Sequence, residues 1–426
     1  MHNTNVLRQR AQKVLPHGNT RSAIWYEPYP VYVAHGAGSR VTDVDGREYL
    51  DVANNLGVLI HGHAFPVVVD AVTQQAAQGS CFALPTESEI ELAELLVDRV
   101  QAFERIRFIN TGSEAVALAI KAARAYTGKS KIVKLEGVYH GSYDYAEISN
   151  YSTPDNWGND PVAVETVPAT PPGVLSSVIV TAANDIEMLE RVLSSDTDIA
   201  AVIVDPVPPR CGMQPLQQAY VSALHELTRQ HNALLIYDEV IALRFGYGGA
   251  QGRFNGQPDL TALGKIIGGG YPIGAVAGRA DVMEATAKAV SSSGTFTANP
   301  VSMTAGLATM QSLTPKAFEH LDRLGERLRE NCTKIINQAG ATMQVMGTGS
   351  IMSIYFHTRP VTDYRSYYKS PEEQTATAQF HADMLSEGVL MAPTATCFYS
   401  TVMDRADEAL FLSAFEKAVN KYAASR

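Results

Sequence analysis

The sequence predicts an α/β fold, in which a mainly parallel sheet lies between helices, together with a smaller α+β unit. Short β-rich runs alternate with helical periodicity from about residue 66, which implies crossover connections and a sheet covered on both faces. Beyond Asn299 the pattern becomes mostly helical with short strands. The chain has 426 residues, enough for two domains.

The elements are predicted in order from periodicity and from turn residues. A first helix, residues 5–15, is stopped by Pro16 and Gly18, and strands between residues 31 and 52 turn at Asp45-Gly46. The segment 149–175 is rich in Pro, Asn, Asp, Ser and Thr and is expected to be a long loop. The remaining strands are expected at 106–109, 131–135, 199–204, 234–237, 260–263 and within 343–357. The remaining helices are expected at 66–78, 87–103, 216–230, 299–340, 372–387 and 406–423, and a further alanine-rich helix follows residues 110–114 and ends at about residue 126.

These elements suggest three segments. Residues 1–60 are expected to form an N-terminal arm and part of the small domain, residues 61–310 the large domain, and residues 311–426 the C-terminal small domain. We expect the N-terminal hairpin to join the C-terminal unit, so that the small domain is discontinuous.

Composition excludes several classes of function. The 34 Lys and Arg against 44 Asp and Glu give a net charge of −10, which disfavours nucleic acid and anionic membranes as partners. The four cysteines form no CxxC pair, so we expect neither a metal site nor a disulfide framework, but a reducing cytoplasm. No apolar run approaches the length of a spanning helix or a signal peptide.

The pairing that most constrains function joins Asp238 and Lys265. An apolar run, residues 233–237, ends in Asp238, and 27 residues later Lys265 precedes the three glycines 268–270. A lysine amine can form a Schiff base with the aldehyde of pyridoxal phosphate, and an aspartate can keep its pyridine nitrogen protonated. The alternative is a helix-capping aspartate and a solvated surface lysine. The spacing, the apolar approaches and the glycines favour the cofactor.

Polar residues follow other predicted strands at the carboxyl edge, where open parallel sheets bind ligands. Thr111-Gly112-Ser113 lies between a strand and a helix and suits a phosphate, although a plain N-cap with Ser113 as capping residue is equally open. Tyr139 can stack on the pyridine ring, and His140 beside it can pack or hydrogen-bond nearby, although such a pair in a loop usually has no such role.

Three further candidates complete this edge. Asp205 ends another strand, where the alternative is simple termination by Pro206, and Val240 can press an apolar side chain on the ring. Thr295, in a small-residue loop, is a weak candidate for closing on a phosphate of its own or of a partner subunit.

Taken as an ordered set, these motifs resemble the class III, fold-type I pyridoxal phosphate aminotransferases. The nearest branch is similar to glutamate-1-semialdehyde aminomutase and the β-amino acid transaminases. The resemblance covers residues 10–310 well and is carried by the segments 15–21, 108–115, 139–141, 237–240, 248–251, 258–261, 263–270, 294–296 and 299–300.

The resemblance implies a role for each matched position. Gly112 and Ser113 would hold the phosphate with Thr295 of the neighbouring subunit, Tyr139 and Val240 would face the two sides of the ring, Asp238 would pair with the ring nitrogen, and Lys265 would carry the Schiff base. A shared site implies a homodimer. Arg21 matches a position that binds a substrate carboxylate, with a surface arginine as the equal alternative.

The chain departs from the family pattern near the substrate. Asp205 replaces the usual glutamate, and residues 208–211 place an unexpected cation, Arg210, near the site. The segment 392–397 lacks both the acid of the aminomutases and the arginine of the β-amino acid branch. Aromatic side chains are candidates for the wall of the donor pocket, although a core role is at least as plausible: Trp25, Tyr26, Phe82, Phe398 and Tyr399.

These observations predict a cytoplasmic, homodimeric transaminase that exchanges amino groups between a donor and a 2-oxo acid by a ping-pong mechanism. The near alternative is an aminomutase, racemase or epimerase with the same cofactor. A nucleotide-binding dehydrogenase is disfavoured because no GxGxxG fingerprint follows a predicted strand. An inactive binding relative is disfavoured because Asp238 and Lys265 are both present.

Overall fold

The computed structural model describes residues 3–425, which form two compact units. Unit 1 contains the residues up to Pro66, residues 319–359 and the residues from Lys369 onward. Unit 2 contains residues 67–318 and the short segment 360–368. The domain boundaries predicted from the sequence had instead included residues 360–368 in the C-terminal small domain, residues 311–426.

The strands are short and numbered here in chain order. They are β1 (Val33–Ala37), β2 (Arg40–Asp43), β3 (Glu48–Asp51), β4 (Arg105–Ile109), β5 (Lys131–Leu135), β6 (Val178–Thr181), β7 (Ile199–Val204), β8 (Leu234–Asp238), β9 (Leu260–Gly264), β10 (Gly274–Gly278), β11 (Gln344–Met346), β12 (Ile351–Tyr355), β13 (Val389–Leu390) and β14 (Thr396–Phe398).

Helices connect most of these strands. The α-helices span Asn3–Val14, Asn54–Gly57, Pro66–Gln78, Glu87–Arg99, Gly112–Thr127, Asp144–Glu147, Pro172–Leu175, Ile186–Ser195, Gln218–Gln230, Gly249–Arg253, Ala280–Ala289, Pro300–Ser312, Pro315–Gln338, Tyr364–Tyr367, Pro371–Ser386 and Arg405–Ala424. Short 3₁₀ turns span Pro16–Gly18, Ser22–Ile24, Ala242–Phe245 and Lys265–Gly268. Within residues 3–425, no helix is long and apolar enough to cross a membrane.

Unit 2 is built around a seven-stranded sheet in the order β4-β10-β9-β8-β7-β5-β6. β10 runs antiparallel to both of its neighbours, whereas the pairs from β9 to β6 are parallel. The predicted α/β class with a mainly parallel sheet is therefore confirmed.

The sheet of unit 2 is covered on both faces. In β8, Leu234 and Ile236 belong to one apolar core, while Leu235 and Tyr237 belong to the other. Successive side chains of a strand point to opposite faces, so this alternation places a hydrophobic layer on each side. All five residues of β8 are buried, and Asp238 therefore reaches the carboxyl edge of the sheet at the end of an apolar strand.

Unit 1 contains two small sheets, with strand orders β1-β2-β3-β13 and β11-β12-β14. β13 pairs parallel to β3, which joins a strand from the beginning of the chain to one from its last forty residues. Leu50 and Val52 are fully buried in one core with C-terminal residues such as Phe411 and Phe415.

The structure corrects two details of the predicted elements. The helix expected at 87–103 ends at Arg99, because Val100 adopts an extended backbone and the buried guanidinium of Arg99 donates to carbonyls of Met310 and Leu313. The helical stretch expected from 299 to 340 is interrupted before Pro315, since a proline has no N–H to continue the preceding helix.

Candidate active site

The carboxylate of Asp238 is held rigidly at the end of β8. Only 5% of the residue is exposed. Oδ1 accepts a hydrogen bond from the backbone N–H of Val240 at 3.0 Å, and Oδ2 lies 2.8 Å from Nδ1 of His140. The two bonds fix the orientation of a buried acid at the edge of the sheet where ligands of such folds bind.

His140 is the second member of this pair and is fully buried. Burial lowers the pKa of His140, and the hydrogen bond to Asp238 opposes that shift. A neutral ring whose proton is on Nδ1 donates to Asp238 and leaves Nε2 as an acceptor. Among residues 3–425, the buried Nε2 has no hydrogen-bond partner. Of the two possibilities, packing or a hydrogen bond, the structure shows a hydrogen bond to Asp238, and the place of His140 at a cofactor ring stays a prediction.

A second buried acid, Asp205, stands at the end of the neighbouring β7. It is 4% exposed, and its Oδ1 accepts from the backbone N–H of Val207 at 2.8 Å. Burial raises the pKa of Asp205 well above its usual value, and the negative charge of Asp238 adds to that shift. The positive charge of Lys265 acts on Asp205 in the opposite direction. Cationic partners are therefore favoured at this edge.

Lys265 directly follows β9 and begins a 3₁₀ turn. Its backbone has a φ of 50°, in the left-handed region that residues other than glycine rarely adopt. Such strained residues persist where the surrounding structure fixes them, and they concentrate at active sites. Here the flanking strand β9 is entirely buried, and so are the next three residues, 266–268.

Two glycines let the backbone after β4 and at the end of β9 approach Val240 closely. A Cβ atom on Gly112 would lie 2.9 Å from Cγ1 of Val240, and one on Gly264 would lie 3.3 Å from the same atom. The two glycines also lie close to each other, since a Cβ atom on Gly264 would lie 3.5 Å from the Cα of Gly112. The residues after β4, β8 and β9 thus converge around the side chain of Val240.

The helix Gly112–Thr127 begins at this point with a capping box. The Thr111 hydroxyl accepts from the N–H of Glu114, and the Glu114 carboxylate accepts from the N–H of Thr111. Ser113 is therefore not the capping residue, and that alternative is wrong. Its Oγ instead accepts from the N–H of Ser142 at 3.1 Å.

The loop that carries Tyr139 and His140 passes directly over this helix start. Gly141 has a φ of 95°, and a Cβ on it would lie 2.6 Å from the Ser113 hydroxyl oxygen. Only glycine fits this approach without displacing Ser113. The free N–H groups of a helix start and a nearby hydroxyl are suited to bind a phosphate.

The remaining candidates lie in different surroundings. Thr295 is exposed, and its carbonyl accepts from the Cys81 thiol at 3.7 Å. A Cβ on the preceding Gly294 would lie 3.2 Å from the side-chain nitrogen of Asn110, so this loop of the same chain lies next to the residue before Thr111. The contribution of Thr295 from a partner subunit stays a prediction.

Arg210 is engaged by the backbone of its own unit. Its Nη1 donates to the carbonyl of Gly137 at 3.3 Å and to that of Asn150, and its guanidinium carbon lies 4.4 Å from the centre of the Tyr151 ring. A substrate-binding role for Arg210 remains a prediction.

In unit 1, the candidate substrate residues show two kinds of environment. The guanidinium of Arg21 is exposed and donates through Nη1 to the side-chain oxygen of Asn55 at 2.8 Å. Trp25 is half-buried and directly follows a 3₁₀ turn. Phe398 and Tyr399 are buried, the latter in the core of unit 1, which supports the core alternative for these two aromatics.

Sequence reasoning missed Glu239, the fully buried neighbour of Asp238. Its carboxylate accepts from the N–H groups of Ala250 and Gln251 at 2.9 and 2.8 Å and from the Gln251 amide at 3.0 Å. Burial raises the pKa of Glu239 to about 7. The Gly248–Gln251 segment was the one indication in the sequence that could have pointed to Glu239. In the structure this segment surrounds the Glu239 carboxylate so closely that a Cβ on Gly249 would overlap it.

The arrangement fits a cofactor with a basic ring nitrogen and a phosphate. Two buried acids favour a cation, the buried Nε2 of His140 has no hydrogen-bond partner among the described residues, and the Val240 side chain offers an apolar surface between the ends of β4 and β9. The start of the helix Gly112–Thr127 offers free N–H groups for a phosphate.

Comparison with known proteins identifies the family. The family model described as aminotransferase class-III matches residues 22–419. The chain belongs to the class III aminotransferase family.

Similar proteins support this membership over nearly the whole chain. An omega-transaminase from Sphaerobacter thermophilus is 44% identical, with a TM-score of 0.95 over 99% of this chain and 98% of that one. A transaminase solved with PLP bound is 38% identical, with a TM-score of 0.92 and the same coverage of 99% and 98%. The glutamate-1-semialdehyde 2,1-aminomutase of Desulforudis audaxviator (strain MP104C) is 39% identical over 391 residues, 90% of this chain and 89% of that protein.

The class III aminotransferase described here therefore uses pyridoxal phosphate and has a fold-type I architecture. The resemblance to the branch of glutamate-1-semialdehyde aminomutases and transaminases is confirmed.

Proposed function

We propose that this enzyme is an aminotransferase that moves an amino group from an amino acid or amine, including β- or ω-amino compounds, to a 2-oxo acid. The observation that carries the proposal is the buried Asp238–His140 pair at the carboxyl edge of the sheet, next to β9, the strand that Lys265 directly follows. The similarity to an omega-transaminase over almost the full length of both chains supports exchange between two substrates.

Each residue of the site has a proposed task toward the cofactor. Gly112, Ser113 and Thr111 would hold the phosphate at the helix start, and Asp238 would pair with the ring nitrogen. Tyr139, which is 52% exposed, would lie on one side of the ring, and Val240 on the other. His140 would hold Asp238 in place, Asp205 would add a second acid at the same edge of the cofactor site, and Lys265 would form the covalent link.

Pyridoxal phosphate, when bound, supplies an electron sink that makes a hydrogen on the amino-bearing carbon of the donor acidic. The amine of Lys265 would take up that proton and deliver it to a carbon other than the donor carbon, because returning it to the donor carbon would give no net amino transfer. Asp238 would face the ring nitrogen with its carboxylate, and His140 holds the orientation of that carboxylate through Nδ1. The donor leaves as an oxo compound before the 2-oxo acid binds, as in any ping-pong exchange.

We also propose a cytoplasmic homodimer in which Thr295 completes the partner's site. The support is an exposed apolar surface near Thr295, where Phe82 is 48%, Leu84 77% and Phe296 63% exposed. Exposed apolar groups that lie close together mark interaction surfaces. The four cysteines are free, in keeping with a reducing compartment.

The main rival is an aminomutase, because curated relatives of this kind reach 39% identity. The absence of an acid from residues 392–397 argues against it. The deciding experiment gives the purified holoenzyme a panel of amino donors without any oxo acid. We expect one equivalent of oxo product per site and loss of the visible band of the bound cofactor. Sustained isomerisation of glutamate-1-semialdehyde without an oxo acid would replace the transaminase by the aminomutase.

Arg21 is proposed to bind the carboxylate of acidic donors. Asn55 engages only one edge of its guanidinium and is neutral, so the positive charge remains available for a bidentate contact. In the donor half-reaction, we expect Arg21→Ala to raise the apparent KM for carboxylate donors by about 10-fold to 100-fold, since a hydrogen bond to a charged group contributes about 1.5–3 kcal/mol. Donors without a carboxylate should be unaffected.

The matched control is Arg10→Ala, which removes another exposed arginine of the N-terminal arm. An unchanged KM for carboxylate donors in Arg21→Ala would show that Arg21 is only a surface arginine, while leaving the aminotransferase proposal itself intact.

A further inference from the structure

The short segment 360–368, which we call the strap, belongs to unit 2 although the chain on both sides of it belongs to unit 1. Arg365 is its main anchor. Its Nε lies 2.8 Å and its Nη2 3.3 Å from the two carboxylate oxygens of Glu136, a bidentate ion pair. Glu136 is only 3% exposed, so its carboxylate is shielded from water, whereas the Arg365 side chain is 25% exposed.

The other donors of Arg365 are also used. Nη1 donates to the carbonyls of Gly158 and Asn159 at 3.0 and 2.6 Å, and Nη2 donates to that of Trp157 at 2.8 Å. The guanidinium carbon lies 5.0 Å from the centre of the Trp157 ring. An arginine with every N–H satisfied in one geometry is a rigid connector, and a lysine cannot reproduce that fork.

Tyr364 of the strap packs against Gly137, the residue that follows Glu136. Gly137 has a φ of 72°, and a Cβ atom on it would overlap the Tyr364 ring. The Tyr364 hydroxyl donates to the carbonyl of Ser152 at 2.8 Å, which fixes the ring in this position. The strap therefore contacts both Glu136 and Gly137, the two residues that follow β5.

These two residues lead directly into the loop of the proposed cofactor residues. Tyr139 and His140 follow Gly137 after a single buried residue, Val138. At its far end the loop is held by the His140–Asp238 bond of 2.8 Å. The loop from Glu136 to His140 is thus fixed at one end by the strap and at the other by the acid at the end of β8.

We propose that Arg365 is a positioning residue for the cofactor, which acts through Glu136 on the placement of Tyr139 and His140. This inference rests on the proposed function only in assigning Tyr139 to the ring and His140 to the support of Asp238. No signal in the sequence near either residue indicates the link, since the two partners are 229 positions apart.

The test measures cofactor binding and not only turnover. Apoenzyme of Arg365→Gln and of Glu136→Gln is titrated with pyridoxal phosphate at a temperature well below unfolding. We expect the Kd to rise by about 10-fold to 100-fold, because a displaced Tyr139 loses its contact with the ring, and each tenfold change corresponds to about 1.4 kcal/mol of binding free energy. The induced circular dichroism of the bound cofactor should weaken in parallel. Arg365→Lys should restore at most part of the affinity.

Two comparisons separate positioning from general destabilisation. The double variant Glu136→Gln/Arg365→Gln leaves no unpaired buried charge, so it should fold well and still bind the cofactor weakly. Arg191→Gln, which removes a surface ion pair to Asp160 with 60% and 70% exposed side chains, should behave as wild type.

The result that overturns the inference is a lowered melting temperature of the apoenzyme with an unchanged Kd and dichroism in both single variants. Tyr139→Ala distinguishes this failure from a failure of the proposed function. If Tyr139→Ala weakens cofactor binding while the Arg365 and Glu136 variants do not, only the role of the strap is lost. If Tyr139→Ala also leaves binding unchanged, the assignment of Tyr139 to the ring fails as well.

Discussion

Lys265→Ala is expected to abolish the donor half-reaction, with the rate falling on the order of 10⁴-fold, the upper end of what a positioned proton-transfer group contributes. The lysine is the only basic residue in the segment 260–270, directly after the buried strand β9. The variant should still bind the cofactor phosphate, because the helix start at Gly112 is unchanged. Rapid mixing of holoenzyme with donor, followed by absorbance, measures the rate.

Lys288→Ala is the appropriate control, since Lys288 is an exposed lysine of the same unit at the end of the helix Ala280–Ala289. It should react at the wild-type rate. Turnover by Lys265→Ala within about tenfold of wild type would remove Lys265 from the mechanism. Loss of cofactor binding by the same variant would instead show that the covalent link is needed to retain the cofactor.

Asp238→Asn is expected to lower the half-reaction rate by about 10²–10³-fold, the usual effect of removing one preorganised electrostatic group. The asparagine has nearly the same shape, and its oxygen can still accept from the N–H of Val240. What it removes is the negative charge proposed to face the ring nitrogen. Rates of the half-reaction at saturating donor measure this effect apart from donor binding.

The same variant has a second readout in His140. The hydrogen bond and charge of Asp238 both raise the pKa of His140 against the effect of burial. In Asp238→Asn that support is lost, so the pKa of His140 should fall further, as histidine NMR signals can report. Asp160→Asn, at an acid whose side chain is 70% exposed, should change neither rate nor pKa. A wild-type rate in Asp238→Asn would separate this acid from the chemistry.

Much of the large unit was predictable because its strands are buried on both faces and read as short apolar runs. β5 and β7 have the predicted bounds, and β8 and β9 extend one residue further. β10 escaped prediction because its sequence, Gly-Ala-Val-Ala-Gly, has little intrinsic strand preference. It forms a strand because both of its edges find partners, β4 and β9.

The candidate site shows the same division. Asp238 and Lys265 were predictable because each follows an apolar run at a strand end. The capping role of Thr111 and the bond from His140 to Asp238 depend on which side chains the fold brings together. The sequence placed Arg210 near the substrate, and only the fold shows that its Nη1 donates to carbonyls of Gly137 and Asn150.

By itself, the sequence determined the family, the cofactor and the sheet edge at which Asp238 and Lys265 stand, because strand burial and motif order are local properties of the chain. Only the tertiary structure decided that His140 is the partner of Asp238 and that Arg365 binds Glu136. Those pairs are 98 and 229 residues apart. Contacts over such separations arise from packing, and nothing in the residues near either partner specifies the other.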